Sequence, residues 1–294
     1  MKRPFNLKMA RQTAEAFLKR EGIATLPVDP FAIAESLAIT IEGKPEDKDG
    51  VSGMLLRHGN DFCIVYATHI PSPGFQRFSV SHELGHYLLP GHPDQIFTNG
   101  IHISRAGFVT NDIYELEADH FAAGLLMPEA PFKKEMDRHD PGLDAIEQVA
   151  DRSITSLTAT AIRLAELSDM AVAVIVSAGG IIDYSFLSEP MKSLPKLDWL
   201  RKGTKLPAGT ATARLANSPA QVRAGARVAD VVDVRDWLGG TTKAEVSEES
   251  IGLGAYGKVL TVLVSSSIGQ EEDPDEDEES DDNMIERWTP RFKR

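Results

Sequence analysis

Apolar positions in the first half of the chain alternate between helical and extended spacing. Ala10 to Arg20 carries an apolar stripe of helical period, and Gly22 ends it. Val28-Asp29-Pro30 opens a second short helix, Phe31 to Leu37. Ile39-Thr40-Ile41, Met54-Leu55-Leu56 and Asp61 to Ala67 read as strands, the last rich in β-formers. A helix begins near Gly74 or Phe75, and another runs from about Asn111 to Leu126, stopping at Met127-Pro128. Leu143 to Leu167 reads as two helices, with Ser153-Ile154-Thr155-Ser156 as the turn and a serine or threonine cap.

Beyond Asp169 the pattern becomes extended. Ala171 to Ser177 is strand-like, Gly179-Gly180 turns, and Ile181 to Tyr184 pairs back. Val228 to Val234 and Lys258 to Val264 are further strands, which predicts a mostly β region over 170–268. No internal repeat is evident. The 294 residues allow about two domains.

Charge changes this picture only at the end. Glu271 to Asp282, EEDPDEDEESDD, supplies ten negative charges of the net −13, leaving −3 for everything else. Such a run repels itself and buries nothing, so a disordered, solubilising tail over 269–294 is expected, with a DNA mimic or a lure for a basic partner as the sharper alternative. Trp288, Arg291, Lys293 and Arg294 give it a basic-aromatic end. The single cysteine, Cys63, excludes an internal disulfide and a thiolate metal cluster. No apolar segment follows the basic N-terminus, and the longest apolar run, Met170 to Val176, is too short for a bilayer. A cytoplasmic protein without a membrane partner is expected.

The chemistry lies in SHELGHYLLPGH, Ser81 to His92. On a helix His82 and His86 share a face and can bind one Zn²⁺. Glu83 lies beside them, placed to take a proton from water that zinc acidifies to a pKa of roughly 7. Two candidates complete the site. His92 stands ten residues after His82, but Leu89 occupies the place where H-E-x-x-H-x-x-G-x-x-H has its turning glycine. Glu115 lies on the later helix, with Asp119 four residues on to accept a ligand histidine's second N–H. Glu117 points about 200° away from Glu115 and reads as a solvated side chain. Tyr87, His92, His102 and Tyr114 are candidate cleft or oxyanion donors.

Together, Arg77 to His86 and Glu115 to Pro128 resemble the ImmA/IrrE family of zinc metallopeptidases. Pro27 to Pro30 and Val51 to Met54 extend the likeness, which covers roughly residues 10 to 170. The resemblance implies an α+β fold with a zincin-like peptidase core of helices and a small mixed sheet, over 1–135. It implies a gluzincin site with ligands His82, His86 and Glu115 and base Glu83. It further implies a cytoplasmic endopeptidase that cuts a helix-turn-helix repressor or toxin–antitoxin partner under stress or phage signals. Tyr87 to His92 departs from it, because many relatives place a histidine closer behind the motif. Residues 136–169 resemble a helix-turn-helix-like segment, but their mixed charges favour a structural helix pair over a DNA reader. The later β region resembles GAF- or PAS-type sensor domains. The competing reading is a non-cleaving regulatory binding protein with a structural or vestigial zinc site.

Overall fold

The computed structural model describes residues 7–45, 50–97, 99–105 and 112–265. The acidic run and the basic-aromatic end lie outside them. The first unit runs α1 (Leu7–Arg20), α2 (Pro30–Ser36), β1 (Thr40–Lys44), β2 (Val51–His58), β3 (Asp61–Ala67), α3 (Pro73–Leu88), α4 (His92–Gln95), β4 (Ile101–Arg105) and α5 (Ile113–Leu126). Local chemistry sets the helix starts. Asp29 accepts from the amides of Phe31 and Ala32 with Pro30 in the first turn, Ser72 accepts from Phe75 ahead of α3, and Asp112 accepts from Tyr114 ahead of α5.

The strands order as β1-β3-β2-β4. β1 and β3 are parallel, while β2 is antiparallel to both β3 and β4. Phe17, Ile33, Leu55, Ile64, Leu84 and Phe121 join α1, α2, the sheet, α3 and α5 in one apolar core. Gly85 lets α3 and α5 meet closely: a Cβ there would lie 3.1 Å from Phe121 and 3.2 Å from the Ala118 Cα. That close approach brings residues of the two helices to one site.

Two helices follow α6 (Glu129–Met136): α7 (Leu143–Ser153) and α8 (Leu157–Leu167). The chain then forms β5 (Ala171–Ala178), β6 (Ile181–Leu187), α9 (Glu189–Lys192), α10 (Ala211–Ala216), α11 (Pro219–Arg223), β7 (Arg227–Asp233), α12 (Val234–Leu238), β8 (Glu245–Gly252) and β9 (Lys258–Ser265). These strands make one antiparallel sheet, ordered β6-β5-β9-β8-β7. On β5, Ala171, Ala173 and Ile175 face a core with Met191 and Trp237, while Val172, Val174 and Val176 face α7 and α8. Burial on both faces explains why β5 reads as an unbroken apolar run.

The α7–α8 pair is a wedge. Leu143, Ile146, Ala161 and Leu164 pack on the second sheet, and Val149 packs on Leu126, Met127 and Phe132 of the first unit. Glu249 of β8 accepts from the amide of Leu143 at 2.9 Å, and Arg227 of β7 pairs with Asp144 and Glu147. Much of α8, Thr160, Ala161, Arg163, Leu164 and Ala165, is thereby buried.

Two strands, β4 and β8, are absent from the hydrophobicity-based expectation. In β4 the alternation is inverted: Ile101 and Ile103 are exposed, and Ser104 is buried. In β8 a carboxylate, Glu248, is fully buried; it accepts from the Thr212 amide and hydroxyl at 2.6 Å and from the Trp237 indole at 3.4 Å. No described helix is long and apolar enough to cross a membrane.

Candidate metal centre

Three side chains converge between α3 and α5. His82 and His86 present their Nε2 atoms 3.0 Å apart. Glu115 brings Oε2 to 3.3 Å from the first and Oε1 to 3.4 Å from the second. A tetrahedral ion with bonds of about 2.0–2.1 Å separates its ligand atoms by roughly 3.3 Å. The spacing and the N,N,O donor set therefore fit Zn²⁺, and His82, His86 and Glu115 are a metal-competent group.

Glu83 is fully buried, and neither carboxylate oxygen has a partner in good hydrogen-bond geometry among the described residues, the Ser104 hydroxyl acting on it from outside that geometry. Burial raises its pKa above the ordinary carboxylate value, against the pull of His82, Ser104 and His102. A buried carboxyl left without a well-placed donor is costly. Gly53 of β2 makes its space: a Cβ there would lie 2.6 Å from Glu83 Oε1.

Charge is divided unevenly in the site. Burial opposes a proton on His82, but Asp119, Glu115 and Glu83 outweigh it and push its pKa up to about 10. His86 goes the other way, held well below the ordinary value by burial and by the neighbouring His82 and His102, despite Glu115. Burial would raise Glu115, but His102, His82 and His86 hold it far below the usual carboxylate range. Asp119 Oδ1 lies 2.8 Å from His82 Nδ1. Asp119 therefore accepts the Nδ1 proton, and the proton that a metal would displace from His82 is the one on Nε2, facing Glu115.

The remaining candidates are dispersed. His102 of β4 brings Nε2 to 2.9 Å from Glu115 Oε1 and 3.1 Å from His86 Nε2. Tyr87 points into the core and packs its ring on Phe62 at 4.8 Å. His92 is fully buried behind His86, 3.1 Å from its Nδ1, and Tyr114 stacks edge-on against His92 at 5.0 Å. Glu117 differs from expectation: it is 2% exposed, and Oε2 lies 2.9 Å from His92 Nε2. Helix angle alone placed it in solvent; α5 is enclosed on several sides, so a residue turned away from the metal still meets protein.

The IrrE N-terminal-like domain family matches residues 34–165. Those residues belong to the ImmA/IrrE family of peptidases. A family relative, the radiation response metalloprotease IrrE of Deinococcus radiodurans, is 31% identical over 117 residues, 40% of this chain. The aligned part spans about a third of that relative's length (35%). A Mycobacterium tuberculosis transcriptional regulator shares the fold, with a TM-score of 0.55 at 14% identity, over 87% of this chain and 76% of that one. Its likeness extends past the ImmA/IrrE domain into the second sheet. Within that domain, Ser104 was not singled out by the sequence pattern, Gly53 entered only as part of a motif, and Glu117 was read as solvated; all three lie beside the group. For Ser104 the alternation Ile101-His102-Ile103-Ser104 was the available signal.

Proposed function

We propose that this chain is a zinc-dependent endopeptidase of the gluzincin type. Its substrate would be a protein regulator, foremost a helix-turn-helix repressor or a toxin–antitoxin partner in the cytoplasm, cut in response to stress or phage signals. The observation that carries the reading is Glu83: a buried carboxyl with no well-formed hydrogen bond among the described residues, beside three convergent side chains. A purely structural zinc site closes with four ligands and needs no such base.

His82, His86 and Glu115 would hold the metal, which when bound supplies an acidified water and polarises a carbonyl. Glu83 takes the proton of the attacking water and hands it to the leaving amine; its raised pKa favours holding a proton between the two steps. Asp119 fixes His82 in the ligand tautomer. His102, beside Glu115, would donate to the carbonyl oxygen as charge develops. Ile101 and Ile103 flank it on the exposed edge of the sheet, which suits an extended peptide laid along β4. The burial of α8 supports a protein substrate over DNA. The antiparallel sheet of β5 to β9, with helices packed on it, supports a GAF- or PAS-like sensor over 170–268 controlling the peptidase over 1–135 through the wedge at 136–169.

The test uses the helix-turn-helix protein encoded nearest this chain. Wild type should split it into two fragments by intact mass. Glu83→Gln should keep zinc yet cut at least about a hundredfold more slowly. Equal cleavage by both would sink the mechanism; an unchanged mass with stable binding to wild type would favour the non-cleaving reading.

A further inference from the structure

His86 lacks the direct carboxylate that His82 has in Asp119. Its Nδ1 faces His92 Nδ1 at 3.1 Å, and His92 Nε2 faces Glu117 Oε2 at 2.9 Å. The proton positions along this row follow from the donor inventory. A carboxylate only accepts, so His92 carries its hydrogen on Nε2 and donates it to Glu117. Neutral His92 then has a lone pair on Nδ1 and can only accept there. With His92 in that neutral form, His86 donates from Nδ1, which leaves its Nε2 lone pair facing Glu115 and His82. All three links are buried: His86 and His92 are fully so and Glu117 nearly so.

We infer that Glu117 and His92 form a relay that sets the tautomer and orientation of His86, making both positioning residues for the metal. One helix, α5, would thus supply three carboxylates with different tasks. Glu115 faces the metal group, Asp119 orients His82 directly, and Glu117 orients His86 through an interposed ring. The chain geometry explains the interposition. Gly91 adopts a left-handed conformation, φ 83°, just before α4. The turn therefore comes two residues later than Leu89, the glycine place of the longer histidine motif. It returns His92 to the Nδ1 side of His86, away from the Nε2 side where a third ligand would sit.

The relay presupposes the metal site proposed above, so the experiment separates the two. Zinc affinity is measured by chelator competition on the full chain, with melting of the metal-free protein alongside. His92→Leu and Glu117→Leu should each weaken zinc binding about 10–100-fold. Acting in series, the double variant should lose no more than the worse single variant. His92→Gln preserves a donor toward Glu117 and an acceptor toward His86, and should recover most of the affinity. Wild-type affinity in His92→Leu, or losses that multiply in the double variant, would overturn the relay while leaving the metal site intact. A wild type that binds no zinc would overturn both. A readout free of variants is the long-range proton–nitrogen NMR spectrum of the zinc-loaded protein. It should show a proton on Nδ1 of His86 and on Nε2 of His92; the opposite tautomer at either ring contradicts the relay.

Discussion

A methyl group on Gly53 would stand 2.6 Å from Glu83 Oε1, closer than any real contact allows. The backbone there is not left-handed, so alanine is conformationally acceptable and the clash falls on the carboxyl. Gly53→Ala should leave zinc content unchanged and slow cleavage about a hundredfold, the scale of a misplacement of about 1 Å at a reacting group. Equal turnover at equal zinc loading would show that the position of Glu83 does not matter. His120 carries a second prediction. Burial, with Arg11 and Arg163 nearby, pushes its pKa down to about 3. The unfolded chain takes up this proton near pH 6.5 and the folded chain only near 3, so stability is lost as pH falls through that window. His120→Leu should flatten that loss, seen as a smaller drop in urea midpoint between pH 7 and 4.5; an unchanged drop would mean that other groups govern it. At this scale the meeting of His82, His86, Glu115 and Asp119 was legible, because four-residue spacing puts two side chains on one helical face. Glu117 was not, because an angle around a helix axis says nothing of what packs against that side.

Among the elements, α3 and α5 carry the site, and Gly85 controls their separation. A side chain there meets Phe121 and the Ala118 backbone, which cannot yield without moving Glu115. Removing a helical glycine gains at most about 1 kcal/mol in propensity, whereas overpacking costs about 1–3. Gly85→Val should therefore lower stability and weaken zinc binding together, by denaturant melting and chelator competition. A more stable protein with unaltered affinity would contradict the close-packing account. The strand β4 shows why one element escaped notice. Period-two alternation was present, but its apolar residues face outward and its polar ones face the site, so a rule that buries apolar residues places His102 on the wrong side. The helices α1, α2, α7 and α8 and the strand β3 were legible to within a few residues, because capping and breaking residues mark them.

Across the whole molecule, α7 and α8 connect the second sheet to the end of α5. The turn between those helices touches the start of α3, where a Cβ on Gly74 would lie 3.2 Å from the Ser156 amide nitrogen. The apolar runs of β5 and β9 announced a buried sheet. They did not announce that a helix pair resembling a DNA reader would be consumed as its second cover, since that depends on which face each strand turns to which partner. Nor did β8, whose buried Glu248 is tolerable only because Thr212 and Trp237 come from elsewhere to satisfy it. The central claim is that two histidines of α3 and one glutamate of α5 hold a single catalytic ion. Zinc stoichiometry by elemental mass spectrometry, after reconstitution and desalting, tests it most directly. One zinc per chain is predicted for wild type and for Glu83→Gln, and none for Glu115→Ala. A wild type without zinc, or a Glu115→Ala variant that keeps a full equivalent, would contradict it.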